Sequence, residues 1–231
     1  MILLVKIHKE EEPNSMAEKI VKLTLSDQIY NILQKDIIDG VIPLGGKLTN
    51  RELQERFQVS STPVRDAIHK LFQNGLVEDV TKTGAQIISF DPDYSKEVNE
   101  FISALACEAM LMTAQITDQE HIAKELYRCQ NEMIEAEDSN LYFEADINYH
   151  NCFFEHCGIR FLKETYERYD LIRILLTRYA IRTPEEKTAT IRQHQAITEA
   201  YVSGSHELAK KLINKHYRYG IWQINDYFSR Q

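Results

Sequence analysis

The stretch Ser60-Ser61-Thr62-Pro63-Val64-Arg65-Asp66-Ala67-Ile68 decides the fold of the amino-terminal part of this 231-residue chain. Pro63 is typical of the first turn of a helix, and the hydroxyl side chains before it are typical helix caps. An apolar stripe at helical spacing consists of Val64, Ala67, Ile68 and Leu71. This stripe leaves Arg65, Asp66 and His69 facing outward. The pattern predicts a short amphipathic helix with a polar outer face.

The sequence on both sides of this helix predicts a winged helix-turn-helix. A core-facing helix is expected over residues 24–39, followed by Gly40 as its C-cap. Thr49 and Glu52 have the spacing of a capping box, and a turn at residues 58–60 ends the helix that they begin. Residues 76–80 and 86–90 flank a turn at 81–84, which is typical of a two-stranded hairpin or wing.

The same residues resemble the GntR family of bacterial transcription regulators. The resemblance covers about residues 24–90 and rests on the stretch 60–68, on Arg51-Glu52-Leu53 before it, and on residues 71–77 after it. It implies that Arg51, Arg65 and wing residues near Thr83 contact an operator, because an arginine fork fits a guanine edge or a phosphate. The complete predicted DNA-contacting set is Arg51, Ser61, Thr62, Arg65, His69, Lys82 and Thr83.

One position departs from the family pattern. Ser61 stands where the family usually has an arginine. A missing cation weakens contacts to phosphates or bases, so either the operator differs or Lys70 and Lys82 compensate for it.

Composition and charge restrict the remaining possibilities. The net charge is −8, of which residues 1–90 contribute −1 and the rest −7, so bulk charge alone does not indicate DNA binding. The four cysteines form no C-x-x-C pair and are expected to be free thiols in a reducing compartment. Residues 1–20 form a polar leader whose apolar run is too short for a signal peptide or a membrane span, which predicts a cytoplasmic protein without membrane contact.

The chain after residue 90 is expected to be helical. Breakers divide it into six predicted helices, at residues 93–116, 119–137, 141–157, 160–182, 185–203 and 206–228. The predicted fold class is therefore mostly α, with a winged helix-turn-helix domain at 21–90 and an all-α six-helix ligand-binding bundle at 91–231.

Four residues in this half form a candidate metal site. Asp146 and His150 are one helical turn apart and share a helix face, while His194 and His216 fall on two later amphipathic helices. A bundle of these helices could direct one carboxylate and three imidazoles to a single divalent ion. Any one of these histidines by itself is more often a packed or surface residue.

The four positions also resemble the metal-binding effector domain of FadR-type (FCD) GntR regulators, in the shorter VanR-like branch. The resemblance implies a divalent ion, Zn, Ni or Mn, with open positions for water or a carboxylate effector. Related domains often carry an arginine on the first bundle helix, but residues 101–105 contain none. Arg173, Arg178 or Arg182 could replace it, and Arg178 is the predicted effector-binding residue.

The predicted function is a homodimeric transcription regulator, a repressor that reads an inverted repeat and responds to a small metabolite. An enzyme is not expected, since no general base accompanies the candidate site. Two alternatives remain open at this stage, a metal-dependent enzyme and a regulator whose metal is purely structural. The surface expected to join two chains includes Phe101, Leu105 and Met112.

Overall fold

The computed structural model describes residues 23–116 and 118–229, so the predicted polar leader at 1–20 lies outside the described residues. The first part of the chain contains three helices and three strands in the order α1 (Leu25–Ile38), β1 (Lys47–Thr49), α2 (Asn50–Phe57), α3 (Ser61–Gln73), β2 (Val77–Val80) and β3 (Gly84–Ile87). The predicted order of helix, helix, turn, helix and wing is confirmed.

The wing contains one strand more than the sequence patterns indicated. β1 pairs antiparallel with β3, which also pairs antiparallel with β2, giving the order β1-β3-β2. β1 was missed because three residues are too short to show an alternating pattern. The strand predicted at 86–90 instead begins at Gly84, where the chain lies so close to β1 that a Cβ would be 1.9 Å from the carbonyl oxygen of Leu48. Only glycine fits this position.

The predicted capping residues begin α2, but their hydrogen bonds differ from those of a complete capping box. The Thr49 hydroxyl accepts a hydrogen bond from the Glu52 N–H and donates one to the Glu52 carboxylate, whereas a complete capping box would link that carboxylate to the backbone of residue 49. Gln58 ends the helix in the left-handed conformation, with φ of 53°. This residue makes the sharp turn between α2 and α3.

Lys70, one of the two suggested replacement cations for DNA contact, already has a partner within the domain. Its ammonium group forms an ion pair with Asp27 on α1 and lowers the pKa of that carboxyl to about 2. The pair joins α3 to α1, whose Ile29, Leu33 and Ile37 are buried in the core. Lys82, by contrast, is exposed in the wing turn.

The second part of the chain is a bundle of seven helices within the described residues. They are α4 (Pro92–Thr113), α5 (Gln119–Glu135), α6 (Ser139–His156), α7 (Arg160–Glu167), α8 (Asp170–Ala180), α9 (Pro184–Val202) and α10 (His206–Ser229). The prediction of one continuous helix over 160–182 is wrong, because the chain turns at residues 168–169 and forms two helices.

Tertiary contacts explain this break, which no glycine or proline marks. Tyr166 near the end of α7 is buried and stacks on Phe154 of α6, with ring centroids 3.6 Å apart. Asp170 then starts α8 and accepts a hydrogen bond from Arg173 at 3.0 Å. Packing of one aromatic ring against a neighbouring helix thus decides where the chain changes direction.

Among the described helices, none is both long and apolar enough to cross a bilayer.

Candidate metal centre and DNA-binding surface

Three helices of the bundle bring three imidazoles together. His150 lies on α6, His194 on α9 and His216 on α10. Their ring centroids are 4.7–5.1 Å apart, and each ring offers a nitrogen within 4.8 Å of the others. This spacing is close to what a single ion would need, so a small movement of the side chains would complete the geometry.

Asp146 lies beside this cluster, although its carboxylate is not among the ligand atoms that all lie within 4.8 Å of one another. It lies one turn before His150, and its Oδ1 is 3.9 Å from the Nε2 of His194. The two side chains are 1% and 0% exposed, and neither the two oxygens nor the two ring nitrogens have a hydrogen-bond partner within the described part of the chain. Buried polar atoms without partners are costly and are rarely left so. A divalent cation would satisfy the Asp146 carboxylate and one ring nitrogen of His194 together.

Burial also sets the charge of these groups. It raises the pKa of Asp146 to about 7, against the opposing effect of Arg173, and lowers the pKa of His216 to about 4. The pKa of His194 and that of His150 are lowered as well, first by burial and then by the neighbouring imidazoles or Arg173. The imidazoles are therefore neutral, which is the form that binds metal ions.

Neighbouring side chains orient the rings. The Nδ1 of His216 lies 2.9 Å from Oε1 of Gln193, so this ring donates its N–H to the amide and keeps a free lone pair on Nε2. The Tyr217 hydroxyl lies 3.4 Å from Nδ1 of His150, and the ring of Tyr149 stacks on His194 with centroids 4.1 Å apart. Partners of this kind hold ligands in place in metal sites.

The main chain of His194 is also anchored, by residues that the sequence analysis did not identify. Its carbonyl oxygen accepts hydrogen bonds from Gln130 at 3.1 Å and from the Tyr149 hydroxyl at 3.0 Å. Thr198 hydrogen-bonds to both of these side chains. The participants come from α5, α6 and α9, so no local spacing could have grouped them.

A cavity opens beside the cluster. It contains about 580 Å³ of empty space, including the part open to solvent, and is lined by Asp146, His150 and His216 as well as by apolar side chains of α4, α8 and α10. The one arginine among its lining residues is Arg173, which is 5% exposed and whose Nε has no hydrogen-bond partner among the described residues.

Arg178, the predicted effector-binding residue, lies elsewhere. It is not among the residues lining the cavity. Its guanidinium instead contacts Asp39 at 3.6 Å and Asn140 at 3.1 Å, and its centre is 4.8 Å from the ring centroid of Phe143. Periodicity placed several arginines on one helix, but the packing of that helix decides which of them reaches the cavity.

All seven residues of the predicted DNA-contacting set are exposed. Arg51 lies on α2 and pairs with Glu55 at 2.9 Å, while Ser61, Thr62, Arg65 and His69 lie on α3, and Lys82 and Thr83 lie in the wing turn.

The wing turn is attached to α2 by Asn50, which the sequence analysis missed. Its N–H donates to the carbonyl of Thr83 at 2.8 Å, and its side-chain amide donates to the carbonyl of Lys82 at 3.0 Å. Asn50 therefore sets the position of the wing relative to the start of the helix-turn-helix.

Comparison with known proteins identifies the class. Residues 25–87 match the family described as bacterial regulatory proteins, gntR family, and residues 97–219 match the FCD domain. The chain therefore belongs to the GntR-family transcription regulators that carry an FCD domain. Regulators of this family bind DNA operators, and FCD domains bind small-molecule effectors. This membership confirms the predictions of a DNA-binding regulator and of a protein that is not an enzyme.

Individual relatives agree with this class. The chain is 25% identical over 197 residues to the HTH-type transcriptional repressor RspR of Escherichia coli K12, covering 83% of this chain and 85% of that protein. It is 21% identical over 207 residues to a probable D-xylose utilization operon transcriptional repressor of Paenarthrobacter nicotinovorans, covering 88% and 90%.

Solved structures support the fold. Escherichia coli McbR/YncC superposes with a TM-score of 0.69 at 17% identity, covering 90% of this chain and 99% of that one. A putative GntR regulator from Rhodococcus sp. RHA1 gives 0.68 at 19% identity, covering 86% and 96%. At this level of identity the likeness concerns the fold alone.

Proposed function

We propose that this protein is a transcription repressor whose operator affinity is controlled by a small carboxylic acid bound at a metal ion. In this proposal Asp146, His150, His194 and His216 hold one Zn, Ni or Mn ion, because one carboxylate and three neutral imidazoles are ligands that all three metals accept. The observation that carries the proposal is the set of four buried atoms on Asp146 and His194 that have no hydrogen-bond partner in the described residues. The repressor assignment follows relatives such as RspR, which is a transcriptional repressor.

The cavity supports a carboxylic acid as the effector. An ion at the cluster would hold a carboxylate at its open positions, and Arg173 offers a second cationic group in the same cavity. The apolar walls formed by residues such as Val98, Ile102 and Leu176 fit a short hydrocarbon body. We assign Arg173, and not Arg178, as the effector-binding arginine.

The position of α8 supports a route from the effector to the DNA-binding part of the chain. Leu176 and Thr177 of α8 line the cavity. On the same helix, Arg178 pairs with Asp39 at the end of α1, and Ile172 packs so closely on Gly75 that a Cβ there would lie 3.2 Å from Ile172 Cδ1. An effector that binds one position of α8 more tightly shifts the protein toward that position, with a coupling of about 1–3 kcal/mol.

The proposed division of the chain into two domains is based on the two family matches. We propose a DNA-binding domain up to about residue 90 and an effector domain after it, with two chains forming a homodimer on an inverted repeat.

Metal content and effector response test the proposal. Asp146→Asn and His194→Ala should each lose one equivalent of divalent metal relative to the parent in elemental analysis, whereas the exposed His69→Ala should lose none. A carboxylic acid found in a thermal-shift screen should raise the melting temperature of the parent and of His69→Ala, and should do so less or not at all in the two site variants.

Two outcomes would contradict the proposal. Unchanged metal stoichiometry in both Asp146→Asn and His194→Ala would remove the assigned ligands. A metal-loaded parent whose melting temperature and operator affinity respond to no carboxylic acid would instead indicate a purely structural ion.

A further inference from the structure

A second cluster of metal-ligating side chains lies between α5 and α6. His121 and Glu125 are one turn apart on α5, and Cys152 and His156 are one turn apart on α6. Each pair therefore shares a face of its helix, and the two faces meet where the helices pack. None of the four residues belongs to the cluster around His194.

The carboxylate of Glu125 lies at the centre of this group. Its Oε2 is 2.6 Å from Nε2 of His156 and 3.6 Å from Sγ of Cys152, while its Oε1 is 3.8 Å from Nε2 of His121. The His121, Glu125 and His156 ligand atoms all lie within 4.8 Å of one another. Around a tetrahedral ion with bonds of about 2.0–2.3 Å, neighbouring ligand atoms are roughly 3.3–3.7 Å apart. Movements of about 1 Å by flexible side chains would reach that arrangement.

An ion pair alone accounts for only part of this geometry. The short contact between His156 and Glu125 is what a carboxylate and an imidazole make by themselves. The same carboxylate is also 3.8 Å from a second imidazole, whose ring is 5.4 Å from the first, and 3.6 Å from a thiol. Three of these side chains have ligand atoms within 4.8 Å of one another, the Cys152 thiol lies 3.6 Å from the central carboxylate, and all four residue types bind borderline transition metals.

We propose that His121, Glu125, Cys152 and His156 form a second transition-metal site, one that takes an ion of the zinc type and fixes α5 to α6. A thiolate and two imidazoles select such ions over Mg²⁺ or Ca²⁺, which prefer oxygen ligands. On binding, the ion takes the place of the Cys152 thiol proton, which is released to solvent.

The face of α6 that carries this site differs from the face that carries the first cluster. At 3.6 residues per turn, the direction of Cys152 and His156 is rotated by about 120° from that of Asp146 and His150. His121 is exposed, and Glu125 and His156 are about one-third exposed, so an ion can enter from solvent. The two sites can therefore be loaded and removed independently.

Cobalt distinguishes the two sites because the first contains no thiolate. Full-length protein titrated with Co²⁺ should bind two equivalents and develop a sulfur-to-cobalt charge-transfer band in the near ultraviolet. Cys152→Ala should abolish the band, whereas Cys129→Ala, which removes a neighbouring buried thiol outside the cluster, should keep it. His121→Ala should weaken binding at this site on the order of 100-fold or more and should leave folding intact, since the side chain is 53% exposed.

The His194→Ala background separates this proposal from the proposed function. In this variant the sulfur-to-cobalt charge-transfer band should persist, while the equivalent of metal bound at the cluster around His194 is lost. A parent protein that binds cobalt without a thiolate band would overturn the proposal, and so would a band that survives Cys152→Ala. Circular dichroism of the metal-free variants verifies that each has kept its fold.

Discussion

Arg65 is the side chain on which the DNA-binding interpretation depends most directly. It is exposed on α3, and it forms no ion pair among the described residues, whereas Arg51 on α2 is paired with Glu55. An unpaired guanidinium can be directed to a base edge or a phosphate without first breaking a contact within the protein. Lys70, which is the other cation near the end of α3, is held by Asp27.

Arg65→Ala should weaken specific operator binding by about 1–3 kcal/mol and leave the free energy of unfolding nearly unchanged. The loss is expected because one fork of hydrogen bonds to DNA disappears while no contact inside the protein does. Fluorescence anisotropy at matched salt, with an operator selected from random duplexes, measures the effect. Arg160→Ala, which removes an exposed arginine from α7, is the control. Equal affinity of Arg65→Ala and the parent would exclude Arg65 from the interface.

At the scale of elements, α8 contacts both the cavity and the DNA-binding part of the chain. The turn at residues 168–169 separates it from α7 and gives it a direction of its own. Arg173 near its start faces the cavity, and Arg178 near its end reaches Asp39. If residues 160–182 formed one continuous helix, Arg173 and Arg178 would lie at other positions relative to the bundle.

Arg178→Ala should reduce the response of operator affinity to the effector while leaving metal content unchanged. The Asp39 pair is partly exposed, so we expect a loss of about 0.5–1 kcal/mol of coupling, or roughly two- to fivefold in the effector-induced change. Operator titrations with and without the carboxylic acid found by thermal shift measure this change. Arg182→Ala is the matched control, because Arg182 pairs with Glu186 and stacks on Tyr227 within the bundle. A full response in Arg178→Ala would show that the coupling takes another route.

At the scale of the whole molecule, the outward side of α4 is the surface most suited to a second chain. Phe101 is 41% exposed and Leu105 and Met112 are half-buried, whereas Ile102, Ala106 and Ala109 on the adjacent face are buried in the core. A single recognition helix contacts too few base pairs for high specific affinity, and two-fold symmetry doubles the contacts.

Sedimentation at micromolar concentration should therefore show a dimer of 27.0 kDa chains, both free and bound to an inverted repeat. Leu105→Glu should shift the free protein toward monomer, because a buried carboxylate at an apolar interface is costly. Phe161→Glu, at a side chain that is 77% exposed on α7, should not. A parent that remains monomeric on its operator would contradict both the dimer and the symmetric mode of DNA reading.

Local spacing in the sequence determined the order of elements in the winged helix-turn-helix and the helical character of the rest. It also placed Asp146 and His150 on one helix face, because periodicity decides which residues share a face. Only the tertiary structure decided the break between α7 and α8, the choice of Arg173 over Arg178 at the cavity, and the pairing of Lys70 with Asp27. It likewise decided that His121 and Glu125 meet Cys152 and His156. These features depend on which helices pack together, and contacts between residues far apart in the chain leave no periodic signal in the sequence.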